Sequence, residues 1–388
     1  MTMSLSALTS IDGTVHGSDE LRGYLQNKFC SKAILKQPES SINECYIDSW
    51  ERYTAAYRKE EAFELLRKCY PQLNFPIENG INKTQDYIDA VLKGKPLRLG
   101  VGTNPVFNRP ESIRFELYES VVGKIPLLIV PDDEDFIQLV QCFLHKNNPT
   151  HVPRSMGALL VNGINNWDRI HELRAKWLQN NLVETWNNEF AKSVLPNPGL
   201  YKDKLIILST KPYSNVAADH LGITEKAWVD YSLSIRLEHE CTHLYTLTCY
   251  GCASNNLHDE LIADYIGISK TIGRYDKEWM FAFMGLEEYP NYRRGARLEN
   301  YLGNAGLTDS DFWQIVSLIR SGIENIASFD KTLGLIHSYR DHLCRIDTLC
   351  TTDLVDIASS NGSDLLVRRY EALLSATRSG SSSVLVKP

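Results

Sequence analysis

The sequence predicts an α+β fold, mainly helical, with a small mixed sheet. Two patterns carry that prediction. Between residues 97 and 208, short apolar runs bounded by Gly, Pro and Asn read as strands. After Gly222, nearly every segment repeats its apolar residues at a spacing of three to four, the helical period. Composition agrees: with 43% hydrophobic and 23% charged residues, a chain of 388 residues has the material for one large or two ordinary domains with real cores.

Taken in order, residues 1–20 are polar, and a poorly ordered N-terminus is expected. Ile47 to Tyr70 reads as helix, with Trp50, Tyr53, Tyr57, Phe63, Leu65 and Leu66 near helical spacing; Pro71 and Pro76 stop it. Gln85 to Leu92 reads as a short helix. Leu97–Val101, Ile113–Tyr118, Ile125–Val130, Gly157–Val161 and Leu205–Leu208 read as strands, and the second of these alternates apolar and polar residues as a half-buried strand does. Asp132 to His145 is a helix with an acidic first turn, which suits the helix dipole. Trp167 to Phe190 reads as one long helix. Its His171-Glu172 pair lacks a second histidine at a ligand spacing and is set aside.

Thr224 is placed as the N-cap of a helix reaching Gly251, a natural C′ residue. A second helix is expected from Asn256 toward Gly273. Others follow at Lys277–Glu287, Ser310–Ile326, Lys331–Leu349 and Leu365–Thr377, then a loose tail. The organisation expected is residues 1–20 as a disordered start, 21–220 as an α/β part with the sheet, 221–377 as a helical part, and 378–388 as a flexible tail.

Charge and cysteine usage narrow the partners. A formal net charge of -7 argues against a nucleic-acid partner, which a basic face would serve. No run of 18 apolar residues predicts a membrane span, and the N-terminus lacks the basic and apolar regions of a signal peptide. The nine cysteines are odd in number and scattered, as in a cytoplasmic protein with reduced thiols. The single C-x-x-C, Cys249 to Cys252, lacks both a thioredoxin-like context and a second pair, so it reads as packing near a helix end.

The chemistry concentrates in Arg236-Leu-Glu-His-Glu-Cys-Thr-His-Leu-Tyr245, where His239, Glu240 and His243 form H-E-x-x-H. Positions four apart share a helix face at about 6 Å, so two imidazoles there can bind one Zn2+. Glu240 is turned about 100° from His239 and reaches past the ligands toward a water. The five-residue pattern arises by chance in roughly one chain in a hundred of this length, so context decides. The plain alternative is a pair of packed histidines. Against it, His258-Asp-Glu-Leu-Ile-Ala-Asp264 follows after the short turn Cys252-Ala-Ser-Asn-Asn256, with Glu260 and Asp264 four apart and apolar residues around them.

H-E-x-x-H on one helix followed by E-x-x-x-D on the next resembles the gluzincins, the thermolysin-like zinc metallopeptidases, over residues 230–268. The resemblance implies Glu260 as third zinc ligand and Asp264 as the group orienting His239. It departs from the family where Asp259 stands in place of asparagine, and where the gap from His243 to Glu260 is shorter; Asp259 or Asp264 therefore stays open as an alternative ligand. The implied activity is hydrolysis of a peptide or amide bond, with Glu240 as general base on a zinc-activated water. In the family a downstream tyrosine or histidine stabilises the oxyanion. Tyr289, Tyr292 and His337 are the candidates here, with His342 beside them. Arg293, Arg294 and Arg297 are read either as a clamp for a substrate carboxylate or as a solvated basic turn. An edge strand lining the cleft is implied, from Gly157–Val161 or Leu205–Leu208. Two other readings remain: a zincin-like metalloenzyme acting on a small metabolite, and a non-enzymatic protein with a structural metal or none.

Overall fold

The structure is a computed structural model, and it describes residues 18–29, 44–56, 62–97, 107–253, 256–302 and 306–380. Its class is the one expected, α+β and mainly helical, with one four-stranded mixed sheet. The chain divides into two units: residues 38–211, and a discontinuous unit of residues 1–37 with 212–388. The boundary therefore falls at Lys211, nine residues before the expected one at 220. The first helix, α1 (Asp19–Leu25), groups with the C-terminal half. Ser18, placed by its sequence in a disordered start, caps α1 by accepting from Leu21 N at 3.1 Å and donates to Asp311 at 3.0 Å.

The unit of residues 38–211 contains α2 (Ile47–Ala56), α3 (Ala62–Cys69), the single turn α4 (Gln85–Tyr87), β1 (Arg114–Ser120), β2 (Gly123–Val130), α5 (Asp133–Leu144), β3 (Ala158–Asn165), α6 (Trp167–Leu178), the short α7 (Trp186–Glu189) and β4 (Lys202–Ser209). Strand order is β1-β2-β4-β3, with β2 and β4 parallel and both outer pairs antiparallel. The two apolar runs, Ile125–Val130 and Leu205–Leu208, form the centre of the sheet, buried on both faces. The alternating segment is the edge strand β1. Leu205–Leu208 thus lies inside the sheet and is no candidate for an open edge; β3 is the other edge. Trp50, Phe63, Leu66 and Phe136 join Leu128, Val130 and Ile207 in one core.

One expectation is corrected here, and two fall partly on residues outside the described set. The segment from Ile47 to Tyr70 is helical over Ile47–Ala56 and Ala62–Cys69, and residues 57–61 lie outside the described set. The long helix from Trp167 ends at Leu178, where Asn181 turns its amide back onto Trp177 O at 2.8 Å and ends the ladder. The strand at 97–101 is not seen at Leu97, and residues 98–101 lie outside the described set. His171 and Glu172 are accounted for without a metal. His171 Nε2 meets Gly94 O at 2.9 Å, and Glu172 takes both arms of Arg52 at 2.6 and 2.7 Å.

The other unit is built on two long elements, α8 (Glu225–Tyr250) and α9 (Leu257–Ile272). Their ends are where side-chain chemistry puts them. Thr224 caps α8 by accepting from Ala227 N, and Gly251 ends it at φ 69°. Asn256 caps α9 by accepting from Asp259 N at 3.0 Å. The two helices touch closely at Gly267, where a Cβ would stand 2.8 Å from Ile235 O. Around them lie α10 (Lys277–Met284), α11 (Asp309–Leu333), α12 (Tyr339–Cys350), the single turn α13 (Leu354–Ile357) and α14 (Gly362–Gly380). The helix expected to stop at Ile326 runs on to Leu333, because the first residue able to break it is Gly334. The eight cysteines among the described residues are free thiols, with Cys249 buried at the end of α8. Among the described residues no helix is long and apolar enough to cross a membrane.

Candidate metal centre

His239 and His243 lie one turn apart on the buried part of α8, and α9 presents Asp259, Glu260 and Asp264 to them. The imidazoles point inward because the Ile235–Tyr250 half of α8 is buried nearly all round, with Ile235, Cys241, Leu244 and Tyr245 packed beside them. The Nε2 atoms of the two histidines are 3.0 Å apart. Glu260 Oε2 is 3.4 Å from His239 Nε2, and Glu260 Oε1 is 3.5 Å from His243 Nε2. A tetrahedral zinc with ligands at 2.0–2.1 Å has edges of roughly 3.3 Å, so these three separations suit one small ion. The same three side chains form the metal-competent group among the described residues, their ligand atoms lying within 4.8 Å of one another.

The far side of each ring explains its orientation. His239 Nδ1 stands 2.8 Å from Asp264 Oδ1, and His243 Nδ1 stands 3.3 Å from Asp259 Oδ1. Carboxylates accept, so His239 Nδ1 carries its ring's proton and its Nε2 is left with a lone pair, while Asp259 lies at ion-pair distance behind His243. Two imidazole nitrogens at 3.0 Å, facing a carboxylate, suit a shared cation. Charge agrees. Asp259, Glu260, Asp264 and Glu240 against Arg297 give a formal -4 + 1, or -3, an excess of negative charge that favours a cation. Burial opposes an imidazolium at His243, yet Asp259 and Glu260 outweigh it and raise its pKa well above the ordinary value. Burial would likewise raise Glu260 and Asp264, but the histidines and Arg297 hold both carboxyls below their usual range.

Asp259 and Asp264, open as alternative ligands, both stand behind an imidazole instead, and Glu260 is the carboxylate between the two Nε2 atoms. Glu240 is half-buried, and among the described residues no hydrogen bond or ion pair holds its carboxylate. It is therefore free to meet a water. His258 lies outside the group, its Nε2 3.0 Å from Leu349 O.

The downstream candidates are not joined to this centre. Tyr292 donates its hydroxyl to Ala296 O at 3.3 Å. The Tyr289 ring lies under the Arg320 guanidinium at 4.4 Å. His337 is exposed and its backbone N–H caps Asp341. His342 is buried, which pushes its pKa down to about 3 and keeps it neutral, outside the metal-competent group.

Among the described residues, the tyrosine hydroxyl that reaches the centre is that of Tyr213, while Tyr301 Oη meets Arg297. Tyr213 donates to Asp264 Oδ1 at 2.5 Å and lies 3.0 Å from His239 Nδ1. It sits in the loop before α8, where Ser214 and Asn215 take left-handed φ of 52° and 57°. Arg297, read as a clamp or a solvated turn, is neither: it is buried and donates to Glu260, Asp264, Tyr213 and Tyr301. Proline and asparagine around Tyr213 mark only a loop. The one available signal was Arg297 itself, a cation at the start of a turn rich in charge.

Residues 6–361 match the DUF7005 family, a family of unknown function, and the chain belongs to it. No curated protein and no solved structure matches the chain.

Proposed function

We propose that this protein is a zinc-dependent hydrolase of an amide or peptide bond. His239, His243 and Glu260 hold the ion, and Glu240 is the general base. The observation that carries the proposal is the pair of Nε2 atoms 3.0 Å apart, each ring backed by its own aspartate, with Glu260 facing both. The gluzincin resemblance of the two helices points the same way, with Asp264 in the orienting role. Zinc bound there supplies Lewis acidity, acidifying water and polarising a carbonyl.

The chain's own groups do the rest. Asp264 keeps the proton of His239 on Nδ1, and the charge of Asp259 behind His243 favours the same there, so both Nε2 atoms are turned to the ion. The Glu240 carboxylate, which no hydrogen bond or ion pair holds among the described residues, accepts a proton from water and returns it to the departing amine.

Metal analysis and activity together test this. Purified wild-type protein is expected to hold one zinc per chain, and His239→Ala, His243→Ala and Glu260→Ala to lose it. Glu240→Gln should keep the zinc and lose activity by at least about 100-fold, the usual scale for a general base. Assays on a peptide library and on a panel of small amides then define the substrate. Retention of full metal content by His239→Ala would end the proposal.

A further inference from the structure

Arg297 has no part in the reading of the centre as two histidines, one glutamate and a base, yet it is more heavily engaged than any of them. It begins a short turn, Arg297–Tyr301, and is 9% exposed. Its Nη2 donates to Glu260 Oε2 at 2.7 Å and to Asp264 Oδ1 at 3.1 Å. Its Nη1 donates to Tyr213 Oη at 2.9 Å, Ser214 Oγ at 3.0 Å and Asp264 Oδ1 at 3.1 Å. Its Nε donates to Tyr301 Oη at 2.6 Å. Every edge of the guanidinium is therefore assigned, so it has no edge left for a substrate carboxylate.

The pattern of contacts is selective. Of the two oxygens of Glu260, Arg297 takes Oε2. Of the two carboxylates one turn apart on α9, it bridges both. One of these is a candidate ligand, and the other backs a candidate ligand. A charged donor on a carboxylate oxygen draws electron density from it and fixes its plane.

On this basis, and resting on the zinc reading above, we propose that Arg297 is a positioning residue of the metal centre: it holds Glu260 through Oε2 and fixes the plane of its carboxylate, so that Glu260 serves the ion as a single-oxygen donor. The bridge to Asp264 ties that effect to the orientation of His239, since Asp264 Oδ1 is shared by the guanidinium, Tyr213 and His239 Nδ1. Lysine cannot replace it, because one ammonium lacks the planar fork that reaches both carboxylates.

Cobalt substitution reads this directly. Co2+ replaces zinc in such sites, and its visible absorption weakens when a fifth ligand, a second carboxylate oxygen or a further water, raises the coordination number from four. Wild-type protein is titrated with Co2+ alone, alongside Arg297→Lys and Tyr301→Phe. Tyr301 Oη touches Arg297 Nε and none of the candidate ligands, so its loss loosens the guanidinium without removing a charge. Arg297→Lys is expected to weaken the cobalt bands and to lower metal affinity by about 10–100-fold in chelator competition. Tyr301→Phe is expected to shift both in the same direction by less, and it carries the test if Arg297→Lys does not fold. Wild-type spectrum and affinity in the folded variants would overturn the proposal while leaving the zinc reading intact. Failure of wild-type protein to bind Co2+ or Zn2+ at all would overturn both.

Discussion

Three carboxylates within six residues of α9 have three different surroundings. Asp259 faces His243, Glu260 faces both Nε2 atoms and Arg297, and Asp264 faces His239, Tyr213 and Arg297. What each acid does is set by the donor opposite it and not by its own type. A fourth acid shows the same rule away from the centre. Asp341 accepts from Arg345 Nε at 2.8 Å, Tyr370 Oη at 2.8 Å and His337 N at 2.9 Å. Burial would raise its pKa, but these donors outweigh it and hold the carboxyl below its ordinary 3.8. A depressed folded-state pKa contributes stability that is present above the unfolded value and is lost as pH falls through the folded one. Asp341→Asn should therefore lower stability at neutral pH by on the order of 1.5–3 kcal/mol, the scale of hydrogen bonds to a charged group. Its deficit against wild type should shrink as pH falls below 3.8. Urea unfolding at several pH values measures both, and a deficit unchanged in acid would refute the assignment.

Between elements, the spacing of α8 and α9 is set at Gly267. Ile235 is one turn before His239, and Gly267 lies just beyond Asp264, so the contact sits at the edge of the centre. A methyl group there would meet Ile235 O at 2.8 Å and Ile235 Cγ2 at 3.2 Å. Backbone cannot yield cheaply, so Gly267→Ala should cost about 1–3 kcal/mol and push the helices apart, weakening zinc binding with it. Gly322 in α11 is the matched control. A Cβ there would find Ile357, Leu261 and Leu354 at 3.8–3.9 Å, ordinary contact. Gly322→Ala should gain up to about 1 kcal/mol from helix propensity. Thermal or urea unfolding of the two variants should give opposite signs; equal losses would remove the packing argument.

Over the whole molecule, all the groups of the centre come from the unit of residues 1–37 and 212–388. Zinc binding to the folded state should stabilise that unit by about 2.7 kcal/mol at 100 times Kd. Hydrogen exchange with and without zinc should show added protection in α8 and α9, with the sheet strands β1–β4 unchanged. A uniform gain over both units would contradict the assignment of all ligands to one of them.

Much of this was legible in the chain. The α+β class followed from the two apolar periods, and both central strands were the continuous runs. The ends of α8 and α9 followed from Thr224, Gly251, Asn256 and Gly273, because a cap is satisfied by residues three or four away. The pairs His239/His243 and Glu260/Asp264 were readable for the same reason: i, i+4 is a property of one helix. What closes the site is not local. Arg297 is 37 residues from Glu260, and Tyr213 is 51 from Asp264. No period links such positions, and the bond each makes depends on how loops return to the two helices. Local spacing thus determined which side chains could share a face. Tertiary packing decided that Asp259 backs His243, that Tyr289, Tyr292 and His337 stay apart, and that a buried arginine holds the glutamate.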